Sequence, residues 1–216
     1  NLDILFLKLG VKKDNPYQMI KSHILAKNKN KTWKGSEHTA LVGYLRYIKD
    51  KFNEYLEIGV KNGNLKSKMI EELKKELWIG TKKKENGWVF GKIENLYLSN
   101  EYNPEFNLEL FLGEDADLFI SPKYLKKIKS EADQIDEEDL KEWNNFFRLI
   151  GVNTLPKVLA KSDGNFVCSD ELVNLLNSKD LNFCRKIIEL LDQNWEFYSN
   201  KTRNIYTKKD TDFINK

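Results

Sequence analysis

The residues best suited to chemistry are lysines set beside aromatic rings. Lys27, Lys29, Lys31 and Lys34 surround Trp33 in the run KNKNKTWK. Ammonium groups contact phosphates and an indole can stack on a base, so this run is a candidate single-strand nucleic-acid contact. Lys82, Lys83 and Lys84 form a second basic run between Trp78 and Trp88. A third lies in the tail, with Lys201, Arg203, Lys208 and Lys209 around Tyr206. The competing reading makes all three solvated loops, with Trp33 folded onto the core. A net charge of +3 is too small to imply a nucleic-acid partner by itself.

No catalytic constellation accompanies these lysines. Paired carboxylates occur at Glu71/Glu72 and Asp115/Asp117, but helix surfaces and turns account for them. His23 and His38 are the histidines of the chain, and neither has a second ligand at metal spacing. Cys168 and Cys184 are too few for a secreted disulfide framework. They read as reduced thiols of a cytoplasmic protein, with Cys184 expected to be buried. No nucleophile, base and orienting residue fall at a recognisable spacing, and no glycine-rich phosphate loop is present. The chain is therefore expected to be non-catalytic, with no cofactor and no metal. No apolar run approaches the roughly 18–20 residues needed to span a bilayer.

The elements that must position these residues follow from periodicity and punctuation. At 216 residues, with 40% hydrophobic and 12% aromatic content, a sizeable core in one or two domains is available. Asn15-Pro16 opens a short helix over residues 17–26, with Met19, Ile20 and Ile24 inward. Ser36 is expected to cap a long helix running to about Glu57, with Leu41, Tyr44, Leu45, Ile48, Phe52 and Tyr55 as its apolar stripe. A shorter helix over 67–76 follows. The character then changes: Leu77-Trp78-Ile79 and Trp88-Val89-Phe90 flank Asn86-Gly87, a strong hairpin dipeptide. Leu96-Tyr97-Leu98 and Leu118-Phe119-Ile120 are further strand candidates. Ser121-Pro122 opens a helix expected to run to about Lys129.

The most explicit helix is Asp136 to Gly151. Asp136 is a good N-cap, and Glu137, Glu138 and Asp139 place negative charge at the positive end of the dipole. This acidic start is expected to be solvated. Leu140, Trp143, Phe147 and Ile150 share one face, and Gly151 suits the left-handed C′ position. Beyond it, Ser169-Asp170-Glu171 opens a short helix. Ser178 opens a longer one, on which Leu181, Cys184, Ile187, Ile188, Leu191 and Trp195 are expected to face one way.

Parts of the sequence echo one another. Leu5, Phe6, Leu9, Gly10 and Val11 align with Phe146, Phe147, Ile150, Gly151 and Val152. Leu45, Ile48, Phe52 and Tyr55 echo Ile188, Leu191, Trp195 and Tyr198. A period of about 140 residues is longer than the roughly 20–50 of common solenoids. It predicts a helix-rich α+β fold with a small antiparallel β unit around residues 77–98, built from imperfect repeats. Residues 1–135 would form the first block and 136–216 the start of a second, cut where its hairpin should begin.

The series ELWIGT, LYLSNEYNP, DADLFISPKYL, EWNNFFRLIGV and LLDQNWEFYS resembles the repeat region of sacsin-like proteins. These are very large bacterial and plant chains carrying a histidine-kinase/gyrase/chaperone-type ATP-binding domain. The resemblance spans most of the chain. One departure stands at Trp78-Ile79-Gly80-Thr81, where the family pattern reads Trp-x-Pro-Thr/Ser. The ATP-site motifs are not present, and Asp163-Gly164 is a lone turn dipeptide, so no ATP-binding residue carries over. The resemblance implies a scaffold or interaction segment of a multidomain, chaperone-like or defence-related ATPase. Its partners would be other domains of the parent chain or another protein. The alternative is a nucleic-acid-binding accessory module of a defence or restriction-type protein.

Overall fold

The computed structural model describes residues 15–29, 33–82, 89–104, 108–113, 118–125, 135–162, 165–177 and 181–199. Phe6 and Gly10, with the other N-terminal repeat positions, and the basic tail lie outside the described residues. The chain is a helix-rich α+β protein. It divides into two compact units: Asn1–Leu108 with Glu114–Thr154, and Glu109–Gly113 with Leu155–Lys216.

The first unit opens with helix α1, residues 16–28. The Asn15 side chain accepts from the Tyr17 and Gln18 N–H groups, and Pro16 takes the first helical position. Met19–Leu25 is wound as a π-helix. Hydrogen bonds five residues apart widen the turn. That winding lets Ile20, Ile24 and Leu25 all face inward, while Met19, expected inside, is exposed.

The long helix expected from Ser36 to Glu57 is two helices, α2 (His38–Asp50) and α3 (Phe52–Lys61). They join at Lys51, whose φ of −105° and ψ of 10° leave the helical region. Ser36 does not cap; it lies in a 3-10 turn, Gly35–Glu37. The stripe survives the break, and Leu41, Leu45, Ile48, Phe52 and Tyr55 are buried. Helix α4 (Lys66–Glu76) adds Met69 and Leu73 to the same core.

Strands β1 (Trp78–Gly80) and β2 (Phe90–Lys92) pair antiparallel, with Ile79 opposite Gly91. The hairpin is thus present, although Asn86-Gly87 and Trp88 lie outside the described residues. The other strand candidates join it by single bridges: Thr81 to Ile120, and Tyr97 to both Phe119 and Asn153. The turn Pro122–Tyr124 is capped by Ser121 as expected, but Leu125 is already extended, so the turn does not continue as a helix to Lys129.

Gly80 is required where it stands. Its N–H donates to the Tyr124 hydroxyl at 2.9 Å. A Cβ there would lie 2.7 Å from His38 Nε2. A proline at this position would forfeit the N–H.

Helix α5 is Leu108–Leu112, and helix α6 is Glu137–Ile150. The Asp136 carboxylate accepts from the Glu138 and Asp139 N–H groups, and Gly151 closes the helix at φ 91°. Trp143, Phe147 and Ile150 are wholly buried, and Phe146 joins them. Trp143 and Phe147 stack at 5.1 Å; Tyr102 meets Phe147 edge-on at 5.4 Å, and Phe52 meets Phe146 at 5.5 Å. The repeat pattern sets a block boundary at 135/136. The compact units divide at 154/155, because α6 sinks this aromatic face into the core of the first unit.

In the second unit, β3 (Leu159–Ser162) and β4 (Asn165–Cys168) pair antiparallel, with Ser162 opposite Asn165. Helix α7 (Asp170–Asn177) is capped by Ser169, whose Oγ accepts from the Leu172 N–H at 3.0 Å and donates to the Lys157 carbonyl. Glu171 accepts from the Lys157 N–H at 2.9 Å. Helix α8 (Leu181–Gln193) buries Ile187 and Leu190. It ends at Gln193; Asn194, whose N–H reaches the Leu190 carbonyl, is a turn residue, and a separate helical turn follows in which the Tyr198 N–H reaches the Asn194 carbonyl.

Candidate interaction surface

The candidate nucleic-acid residues fare unequally. Trp33 is a core anchor. Its indole N–H donates to Asn28 Oδ1 at 3.0 Å, and Asn28 Nδ2 in turn donates to the Ile24 carbonyl at 2.8 Å. Tyr44 and Phe90 pack around the ring at 6.2 and 6.4 Å. Buried this way, Trp33 has no face to offer a base. Lys27 donates to the Tyr44 hydroxyl at 3.0 Å, and that hydrogen bond raises its pKa. Lys29 and Lys34 are exposed. Lys82 pairs with Glu101 at 3.2 Å. Lys31, Lys83 and Lys84 lie outside the described residues.

The described ends of the two basic runs sit on neighbouring elements, because Trp33 packs on Phe90 and Phe90 pairs with Gly80. The described lysines at either end, Lys27 and Lys82, already have protein partners.

A cleft of about 290 Å³ in the first unit is lined by Glu71, Lys74, Lys75, Lys92, Glu94 and Gly151. Its charges are largely committed. Lys92 lies 4.7 Å over the Trp78 ring and donates to the carbonyls of Lys75 and Glu76. Lys74 pairs with Glu71 at 2.9 Å. Burial lowers the Lys92 pKa, though Glu76 and Glu94 oppose that. Among the described residues no three His, Cys, Asp or Glu side chains gather as a metal site. His38 is buried against β1, and desolvation, with Lys123 nearby, lowers its pKa to about 4.

The acidic start of α6 is not wholly solvated. Asp139 is buried and faces Lys49 of α2. Glu142 and Asp50 approach the same ammonium, at 2.5 and 3.4 Å. Lys49 also lies 5.2 Å over the Trp143 ring. This cluster ties α2 to α6.

The largest departure from the sequence reading is on α8. Periodicity predicts one inward face containing Leu181, Ile187, Ile188 and Trp195. Instead Ile187 and Leu190 are buried, while Leu181, Ile188 and Trp195 are 87%, 62% and 66% exposed. The helix carries two adjacent apolar stripes, and its own unit covers one. The hydroxyl of buried Tyr198 donates to the Pro156 carbonyl at 3.2 Å, which holds the end of the segment in place. Phe183 meets Phe111 at 6.0 Å. Cys184, between the stripes, is half-buried, whereas Cys168 is exposed.

Contiguous exposed apolar patches mark interaction sites, whereas apolar residues exposed singly are ordinary. No helix of the described residues is long and apolar enough to cross a membrane. No family model, no curated protein and no solved structure matches this chain.

Proposed function

We propose that this chain is a non-catalytic interaction segment of a larger, sacsin-like ATPase-containing protein. The observation that carries this reading is the exposure of Leu181 and Ile188 on α8 and of Trp195 just beyond its end. The repeat reading adds support. Leu45 and Phe52 are buried in the first unit, and their echoes Ile188 and Trp195 are exposed in the second. A pattern that is core in one block and surface in the next is a pattern made for burial. The order of aromatic and glycine positions supports the sacsin-like assignment and, with it, repeats of about 140 residues, longer than common solenoid units.

The nucleic-acid alternative retains exposed Lys29 and Lys34 but loses its stacking residue, since Trp33 is buried.

The test is a titration with an apolar fluorescent dye that lights up on exposed hydrophobic surface. The folded chain binds it. Ile188→Asp/Trp195→Asp abolishes binding while the near-UV circular dichroism of the aromatic core persists. Dye binding retained by that variant would overturn the assignment of α8 as the interaction face.

A further inference from the structure

We propose that residues 181–198 receive an aromatic-faced helix of the α6 kind from a following repeat block, one that carries a basic residue where α6 has Asp139. The inference rests on the reading of these residues as an interaction face and names its occupant.

The helix pair α2–α3 has a counterpart in the second unit. α2 and α8 are both 13 residues long. His38 corresponds to Leu181, Asp50 to Gln193 and Phe52 to Trp195 at one constant offset in sequence. Each helix ends in a single non-helical residue, Lys51 or Asn194, and a new helical segment opens at once on Phe52 or Trp195. The hydrogen bonds across the two joints also match. In the first unit the Lys51 N–H reaches the Tyr47 carbonyl and the Tyr55 N–H reaches the Lys51 carbonyl. In the second the Asn194 N–H reaches the Leu190 carbonyl and the Tyr198 N–H reaches the Asn194 carbonyl.

What covers each side of the pair identifies the occupant. Tyr44 and Tyr55 are met by elements that precede the pair: Trp33 packs on Tyr44, and Tyr17 stacks on Tyr55. Their counterparts Ile187 and Tyr198 are buried in the second unit as well. The other side of the pair is met by elements that follow it. Phe146 of α6 packs on Phe52 at 5.5 Å, and the Lys49 ammonium lies 5.2 Å over Trp143 of α6. Leu45, one turn before Lys49, shares that side. His38 packs on Phe90 of the hairpin at 6.1 Å. The counterparts of His38, Leu45 and Phe52 are Leu181, Ile188 and Trp195, the exposed residues of the second unit. The bare side is therefore the one that α6 and the hairpin cover in the first unit. An amphipathic helix laying its apolar face there is a common recognition mode.

Charge sets the chemistry of that helix. In the first unit Lys49 faces Asp139 and Glu142 of α6. Its counterpart is Asp192, which is exposed. A helix with an acidic start like that of α6 would set acid against acid, so the helix that fits carries Lys or Arg at the place of Asp139. The same charge disfavours α6 of a second copy. Arg185 stands at the place of Val42, and its stem can lie along an apolar face while the guanidinium reaches water.

The experiment is fluorescence anisotropy of labelled peptides titrated with the full 216-residue chain. One peptide carries residues 135–152 with Asp139→Lys and Glu142→Lys, and the other keeps the native acids. The charge-exchanged peptide binds more tightly than the native one, and Asp192→Lys in the chain reverses the preference. Each change is about two- to five-fold, the worth of an exposed ion pair. Ile188→Asp abolishes binding of both peptides while the near-UV circular dichroism of the aromatic core persists. Binding that survives Ile188→Asp, or a preference that Asp192→Lys does not reverse, overturns the proposal. A chain that binds neither peptide but still binds the apolar dye overturns the α6-type occupant and leaves the interaction face standing. A chain that dimerises in sedimentation velocity, and loses the dimer in Ile188→Asp, gives the face to a second copy and overturns the proposal. A chain that binds neither the peptides nor the dye overturns both readings.

Discussion

The Lys49 ammonium lies 3.4 Å from the Asp139 carboxylate, and the two side chains are only 6% and 4% exposed. Glu142 stands 2.5 Å from the same ammonium but is open to water. The pair is therefore asymmetric. Without Asp139, Lys49 keeps Glu142; without Lys49, the buried Asp139 carboxylate loses the ammonium that faces it. Lys49→Met should cost about 3–5 kcal/mol, the usual loss for a buried pair broken on one side. Asp139→Asn should cost clearly less. Urea denaturation of both variants checks this, and equal losses would contradict the asymmetry.

The aromatic face of α6 should dominate the stability of the first unit. Phe147 is fully buried against Trp143, Tyr102 and Tyr124. Phe147→Ala should cost about 3–5 kcal/mol through the cavity it leaves. A measured loss under about 1 kcal/mol would mean the surroundings collapse into the space.

Gly151 sits at φ 91°, and a Cβ there would lie 2.9 Å from Lys74 Cε, the flexible part of a side chain. The backbone conformation, more than the contact, should set the effect. Gly151→Ala should destabilise by about 1 kcal/mol, and Gly151→Asn by less, because asparagine tolerates the left-handed region. Equal losses for the two would point to the Lys74 contact instead.

His38 gives a pH dependence with a defined sign. Its folded-state pKa falls from 6.5 to about 4, chiefly through burial. Between those values the unfolded chain holds the proton and the folded chain does not. Stability is therefore full above pH 6.5 and declines as pH falls toward 4, by up to about 3 kcal/mol at about 1.4 kcal/mol per unit. His38→Gln should flatten the stability profile in that window. An unchanged slope would assign the pH dependence to other groups.

Trp33→Ala should lower stability by about 3–5 kcal/mol, as for a buried large aromatic, because the indole fills the space between Tyr44 and Phe90. Any binding of single-stranded DNA or RNA should be weak, fall steeply with salt as phosphate contacts do, and survive Trp33→Phe unchanged. A loss of affinity without a loss of stability would restore the stacking role.

Much of this fold is legible where its signals are local. Asp136, the acidic turn and Gly151 are read from adjacent residues, and the helix they bound is in place. The same holds for Asn15-Pro16 and Ser169. What escapes depends on partners far along the chain. Asp139 reads as one more solvated acid until α2 brings Lys49 to it. The break at Lys51 interrupts an unbroken apolar period and leaves no mark in it. The β3–β4 pair, with Ser162 opposite Asn165, leaves a weak signal because its flanking apolar runs are short. On α8, periodicity finds two apolar stripes about one residue apart in phase, and only tertiary packing decides that Ile187 and Leu190 are the covered ones. The candidate surface is the stripe left over, so sequence alone could not single it out.

Equilibrium unfolding of Phe52→Ala and Trp195→Ala, each read in the transition of its own unit, tests the central claim most directly. The two residues hold echoing places in the repeat, one buried and one 66% exposed. The account predicts a loss of about 3–5 kcal/mol for Phe52→Ala and a change within about 0.5 kcal/mol for Trp195→Ala in the monomer. A comparable loss at both positions would make Trp195 core, and α8 would then present no free face for a partner.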